Sequence, residues 1–312
     1  MSNVTNRAQL SAAVREYYDR LLLMTAYPTL IYTKFAQTRI LPEKSGDTVV
    51  FRRFVKLDTV PIPNEDGITP PGAPLSAVDI KARVSFYGNF ITITNEVQLT
   101  VEDETINKAS TLLAQNLAQT VDEITRDVLA STSSVMECSH GDAGTPTEIS
   151  KGDIDAAVKT LLGNDAQMIS SVVTASTGLG TSPTRPAFWG FIDTDLLDDL
   201  ENVANFQSTT NYSKQAILDA EWGSTGNVRW LYTSIGSVTD AATPVYNNFI
   251  VGKEAYGVVH LGSKSGDFYV EPLGSSGAAD PLHQRGTVGW QHPFVARILN
   301  DSNMINLMAT HS

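Results

Sequence analysis

Few residues in this sequence have types and spacings that could do chemistry. Its five histidines are His140, His260, His283, His292 and His311, and none stands four residues from another, as a helical zinc site requires. Cys138, the single cysteine, could join His140 and Asp142 around a metal ion. Those three residues lie in a connector with no second cluster to complete the ligand set. Asp193, Asp195, Asp198, Asp199 and Glu201 crowd one short acidic helix, the pattern of a solvated face, and no acid–base pair can be argued from it. Gly178-Leu179-Gly180 lacks the later glycine and the lysine of a phosphate-binding loop. Gly262-Ser263-Lys264-Ser265-Gly266 places lysine where a serine nucleophile belongs. The residues therefore predict no catalytic centre, no cofactor and no metal.

Composition narrows the field further. The chain has 312 residues, 42% hydrophobic and 18% charged, with a formal net charge of −12. That mix is globular. The charge argues against a coat that neutralises phosphates directly, but not against a protein that encloses nucleic acid without gripping it. One cysteine excludes an intrachain disulfide. The first residues lack the apolar core of a signal peptide, and Leu21 to Met24 is too short to span a bilayer. The expectation is a chain made in the cytoplasm and soluble there.

The dominant element is a predicted helix over 100–131. Ile106, Ala109, Leu113, Leu117, Val121, Ile124 and Val128 recur at three- and four-residue steps along one stripe. Glu104, Lys108, Gln115, Gln119, Asp122, Glu123 and Arg126 fall opposite. Thr100 with Asp103 resembles a capping pair. At ~1.5 Å per residue the rod is roughly 45 Å long, more than a compact domain of this size normally uses. Before it, residues 8–26 carry a second helical stripe through Leu10, Val14, Tyr17, Leu21 and Met24.

Between these helices lie two strand-like runs, 48–57 and 78–97, the second broken at Gly88 as at a bulge or bend. At ~3.3 Å per residue the second run could reach roughly 60 Å, so it is expected to project. About twenty residues separate the runs, with Pro61, Pro63, Pro70, Pro71 and Pro74 among them; loops of that length are usually functional or disordered. The base of this arm is basic (Arg52, Arg53, Lys56) and its tip acidic (Glu65, Asp66). Such a pattern suits a head-to-neighbour contact between copies.

After the long helix the pattern shortens. A helix is expected over 150–163, with Ser150 as cap. Strands are expected over 168–175, 187–192 and 228–234, with helices over 194–203 and 212–222. One or two further elements fall in 249–261. A bent strand or strand pair is expected over 286–300, and a closing strand over 304–308. Mixed short elements of this kind make an α+β or α/β sub-domain.

The order of elements resembles that of the major capsid proteins of tailed bacteriophages, which have the Hong Kong 97-type fold. Within that group, the podophage-type family is similar in Asp280-Pro281-Leu282-His283-Gln284-Arg285-Gly286-Thr287-Val288-Gly289-Trp290 with Leu299-Asn300, and in the Asn-rich approach to Gly252-Lys253-Glu254-Ala255-Tyr256. The resemblance implies an α+β capsid fold in which 1–46 is an N-terminal arm and 47–98 an extended hairpin loop. Residues 99–150 would form a peripheral domain with its spine helix, 151–285 an axial domain, and 286–312 strands returning to the peripheral domain. It implies a structural, non-enzymatic subunit of the virion, forming hexamers and pentamers of an icosahedral shell around double-stranded DNA. Assembly would take place in the host bacterial cytoplasm. A portal, a separate scaffolding protein and a decoration protein would be its partners. Arg52, Arg53, Lys56, Glu65 and Asp66 would touch neighbouring subunits, and Arg15, Arg20 and Lys34 would face DNA. The alternatives are an encapsulin-like compartment with protein cargo and a soluble α/β hydrolase whose projecting loop is a lid.

Overall fold

The computed structural model describes residues 31–42, 44, 46–57, 72, 74–95, 105–139, 145–169, 186–211, 218, 220–239, 244–261, 266–272, 282 and 284–311. In chain order the strands and helices are β1 (Gln37–Leu41), β2 (Thr48–Phe54), β3 (Ala77–Arg83), β4 (Ser85–Thr94), α1 (Thr105–Ala130), β5 (Val135–Glu137), α2 (Lys151–Gly163) and β6 (Phe188–Asp193). They continue as α3 (Leu197–Asn202), β7 (Phe206–Ser208), β8 (Glu221–Thr225), β9 (Val228–Thr233), β10 (Ser237–Val238), β11 (Val245–Val251), β12 (Tyr256–Leu261), β13 (Asp267–Glu271), β14 (Arg285–Ile298) and β15 (Met304–Thr310). The expected N-terminal helix and the Thr100–Asp103 cap lie outside the described residues.

Helix α1 runs 26 residues, about 39 Å at ~1.5 Å per residue. Ala109, Leu113, Leu117 and Val121 are buried as their spacing requires, and Ala114 and Ala118 widen the stripe. This face lies on a five-stranded sheet, against Val258, Phe268, Val288, Trp290, Phe294 and Ala296. Strand β14 is the axis of that sheet. β4 and β13 flank its first part and β12 takes its last residues, with β1 parallel to β12 at the edge. Pro293 stands where β14 changes partner from β13 to β12, a position a central strand can give to a residue without an N–H.

The second sheet has eight strands in the order β5-β15-β11-β6-β9-β8-β7, with β10 beside β11. Helix α2 starts as predicted: Ser150 Oγ accepts from the Asp153 N–H at the N-cap. Its Ile154, Ala157 and Leu161 bury one face of this sheet against Phe188, Ile192, Trp230, Ile250, Ile305 and Leu307. The other face carries Trp189, Phe191, Phe249 and Met304, closed by Tyr32, Phe35 and Leu129 near the end of α1. The helix therefore spans from the core of one sheet to the core of the other.

Two neighbouring connections carry the chain between sheets, 252–255 from β11 to β12 and 299–303 from β14 to β15. They are laced together by bonds from Gly252 N to Asn303 O (2.8 Å) and from Leu299 N to Ala255 O (2.9 Å). The sheets consequently cut across the expected ranges. β12 and β13 lie under α1, whereas the closing strand β15 joins the eight-stranded sheet and pairs with β11 and β5.

Other expectations are corrected by packing. The break in the second strand-like run falls at Val84, not Gly88. Val84 is buried and its N–H donates to Asp47 O at 2.8 Å, so the chain changes sheet there. Gly88 stays in the ladder opposite Gln291. A Cβ at that position would meet Trp290 O at 2.8 Å, so close approach is what requires glycine. Trp222 lies in strand β8 and not in a helix; 212–217 and 219 are outside the described residues. Of 168–175, Ile169 forms a single bridge to Ala187 and 170–175 are not described. Two of the acidic residues are buried rather than solvated. Asp193 caps the turn after β6 and accepts from Gly236 N (3.0 Å), and Asp199 meets His311 at 2.9 Å.

Candidate assembly interface

The β2–β3 hairpin has two chemically distinct faces. Val49, Phe51, Ile80 and Ala82 point one way and pack with Leu41, Val84, Val259 and Leu299. Alternation turns Val50, Arg52, Phe54, Asp79, Lys81 and Arg83 the other way, where Val50 is 41% and Phe54 60% exposed. Beyond the paired strands, Val55, Leu57 and Leu75 are exposed as well. Exposed apolar side chains set among charged ones on a two-stranded ribbon suit a contact surface.

Of the predicted contact residues, Arg52 and Arg53 lie on this ribbon and Lys56 just beyond it. Arg52 grips Asp79 across the hairpin in a two-pronged bond, Nε–Oδ1 2.7 Å and Nη2–Oδ2 3.1 Å, and this holds the Asp79 carboxyl below its usual range. Arg53 donates to Asn300 Oδ1, and Lys56 Nζ lies 2.8 Å from Asp165 Oδ2 with both side chains largely exposed. The last two contacts bridge a polar cleft of about 560 Å³ between the hairpin base and the body. Glu65, Asp66, Arg15 and Arg20 lie outside the described residues.

Lys34 is half-buried beside a hollow of about 350 Å³ that it lines with Gln115, Gln119 and Asp122. Asp122, placed by periodicity on the solvent face of α1, is 2% exposed. Its carboxyl accepts from Ile31 N (3.1 and 3.2 Å) and Tyr32 N (3.2 Å), which fastens residues 31–36 to the spine helix. Burial pushes its pKa up to about 7, although the two N–H groups and Lys34 pull the other way. Nothing in the helix pattern signals this, because the covering residues come from ninety positions upstream.

The sign of the resulting pH effect follows from linkage. With a folded pKa above the unfolded value, the native state holds the extra proton between about pH 4 and 7. The contribution to stability is present below that window and is lost as pH rises through about 7. Asp122→Asn keeps a carbonyl for the backbone donors but cannot titrate. Urea midpoints of the wild type should fall relative to the variant between pH 4 and 7.5; parallel curves would refute the assignment.

A second uncovered surface lies on the face of the five-stranded sheet away from α1. There Phe86 (60%), Phe90 (68%) and Tyr269 (45%) are exposed, with Gly289 between Phe90 and Tyr269 in register. Phe90, Tyr269 and Gly289, together with Gly88 and Gln291, edge a hollow of about 310 Å³. Among the described residues no three of His, Cys, Asp and Glu cluster to hold a metal, and no helix is long and apolar enough to cross a membrane. Cys138 is fully buried and its N–H bonds to Met308 O; His140 and Asp142 are not described.

A spine helix laid across two sheets, with a two-stranded hairpin at one edge, is a fold of the Hong Kong 97 type. The sequence agrees: the family model described as phage capsid protein matches residues 77–295, more than two thirds of the chain, and the chain belongs to that family. It is a major capsid protein, a component of the phage shell. The head structure of Helicobacter pylori bacteriophage KHP40 aligns at 10% identity over 91% of each chain, TM-score 0.65. The capsid of Ralstonia phage GP4 aligns at 13% identity over 89% of this chain and 87% of its own, TM-score 0.67. The cyanophage Pam1 capsid aligns at 16% identity over 92% and 93%, TM-score 0.60. No curated protein matches the chain. Neither the compartment nor the hydrolase alternative is favoured.

Proposed function

We propose that copies of this chain form hexamers and pentamers that close into an icosahedral shell around double-stranded DNA. Assembly takes place in the host bacterial cytoplasm, with portal, scaffolding and decoration proteins as partners, and the chain has no catalytic role. In this reading α1 with its five-stranded sheet is the peripheral part, and the eight-stranded sheet is the axial part whose loops meet at capsomer centres. The hairpin of one copy lies on the next, with Arg52, Arg53, Lys56, Glu65 and Asp66 at the contact. Arg15, Arg20 and Lys34 face the DNA, and the net charge of −12 lets packaged DNA slide without sticking.

The observation that carries the reading is the set of exposed apolar side chains on and just beyond the hairpin, Val50 and Phe54 among charged neighbours, then Val55, Leu57 and Leu75. The ties of Arg53 and Lys56 to the chain's own body are exposed. Bonds of that kind contribute little, so exchanging them for a neighbour's groups is easy. Many such contacts per subunit add up through avidity.

The test replaces residues 55–76 with a short glycine-containing turn and produces the chain together with its phage's other head proteins. Folded subunits that fail to close shells in electron micrographs are expected; closed shells at wild-type yield would overturn the role of the hairpin. Purified wild-type particles should protect DNA of genome length from nuclease. Charge reversal at Arg15, Arg20 and Lys34 should lower DNA filling, and unchanged filling rejects those three as contacts.

A further inference from the structure

The seam between α1 and its sheet holds two histidines that play no part in the assembly reading. His292 on β14 is 2% exposed. His260 on β12 stands opposite Phe294 in register. The two imidazoles lie 5.5 Å apart between ring centroids, and Phe294 lies 5.5 Å from one and 5.7 Å from the other. Strand alternation puts His292 on the face that carries Val288, Trp290, Phe294 and Ala296, which packs with Leu113 and Leu117 of α1, and puts the half-buried His260 on the face of Val258. A Cβ on Gly266 would sit 3.4 Å from Leu117 Cδ2 and 3.8 Å from His292 Nδ1, so Gly266 packs close against the His292 ring. Nδ1 of each ring is buried without a hydrogen-bond partner.

A buried polar nitrogen without a partner destabilises the native state, and a cation there would do so far more. Among the described residues, the groups that could compensate are few. α1 offers Leu113, Ala114, Leu117, Ala118 and Val121 to this core, all apolar. β4 offers Tyr87, opposite His292, and β1 offers Ile40, opposite His260. From β13 the field of Asp267 favours a proton on His292, while His260 opposes it.

We infer that the His260–His292 pair is an acid-operated release for the spine helix: protonation places one and then two cations in the helix–sheet seam, and α1 parts from the sheet. Burial already holds His292 down at about 4 and lowers His260 as well. The folded values lie below the unfolded value of ~6.5, so the unfolded state binds more protons beneath it. Stability is full above that pH and drains away as pH falls toward about 4. Asp122 acts in the opposite sense over this range, so its titration does not produce the loss in acid.

His260→Phe with His292→Phe keeps three packed rings but removes both titrations. Tryptophan fluorescence of the full chain, which includes Trp290 in the same core, follows acid opening. The midpoint should move roughly one pH unit lower and the transition should lose up to about two protons of steepness. An unchanged midpoint overturns the inference. Should the double variant not fold, His260→Phe alone and a histidine NMR titration of the wild-type chain decide. Two rings titrating well below the free value support it, and rings titrating near 6.5 sink it.

Discussion

Replacing Arg229 by methionine will destabilise the subunit by about 3–5 kcal/mol, the range found when one member of a buried ion pair is removed. Arg229 and Glu221 lie on adjacent strands of the eight-stranded sheet. Their side chains are 4% and 0% exposed, and Nε–Oε1 and Nη2–Oε2 are 2.7 and 2.6 Å. The guanidinium also stacks 4.6 Å over the Trp189 ring, a contact methionine reproduces only in part. The loss arises chiefly from the Glu221 carboxylate, which stays buried without its cation. Glu221→Met in the same chain should therefore recover most of the stability, since an apolar pair of similar volume is often neutral or better. Urea unfolding of the two variants checks both statements. A single variant as stable as the wild type, or a double variant worse than the single, contradicts the account.

Trp290→Ala is expected to cost about 3–5 kcal/mol, the usual range for deleting a buried tryptophan, and to yield no assembled shells. Trp290 is 3% exposed at the middle of the α1–sheet core. Its Nε1 donates to Asn116 Oδ1 at 3.2 Å, and Asn89 Nδ2 donates to the same oxygen at 3.0 Å. One helix side chain thus ties α1 to both β14 and β4. Trp290→Phe keeps most of the volume but drops that hydrogen bond, so its loss should be clearly smaller. Equal losses for the alanine and phenylalanine variants would mean that the bond, not the packing, holds the helix down.

The parts of this fold that could be read in the sequence are those whose signal is internal to the segment. The stripe of Ala109, Leu113, Leu117 and Val121 specifies α1 without help, and Ser150 with Asp153 specifies the start of α2. Apolar runs such as Phe188 to Ile192 and Val228 to Leu231 announce buried strands. Gln37–Leu41, Val135–Glu137 and Asp267–Glu271 escaped notice because they are short and half polar. They become strands only because β12, β15 and β14 each offer a ladder edge. Asp122 was misplaced for the same reason, since what buries it arrives from residues 31 and 32. At the interface, the basic base of the hairpin was legible as charge. The pairing of Arg52 with Asp79, and of Lys56 with a residue more than a hundred positions away, was not.

The register of β4 against β14 has a mechanical consequence. The hairpin continues through Val84 into β4, and ten residues of β4, from Ser85 to Thr94, are paired in register with β14. A tug on the hairpin directed along β4 would have to slide the whole ladder at once, with no end at which to start peeling. Tension between shell subunits would then be carried by many backbone bonds in parallel. The ribbon should stretch or tear before its root pulls out of the body.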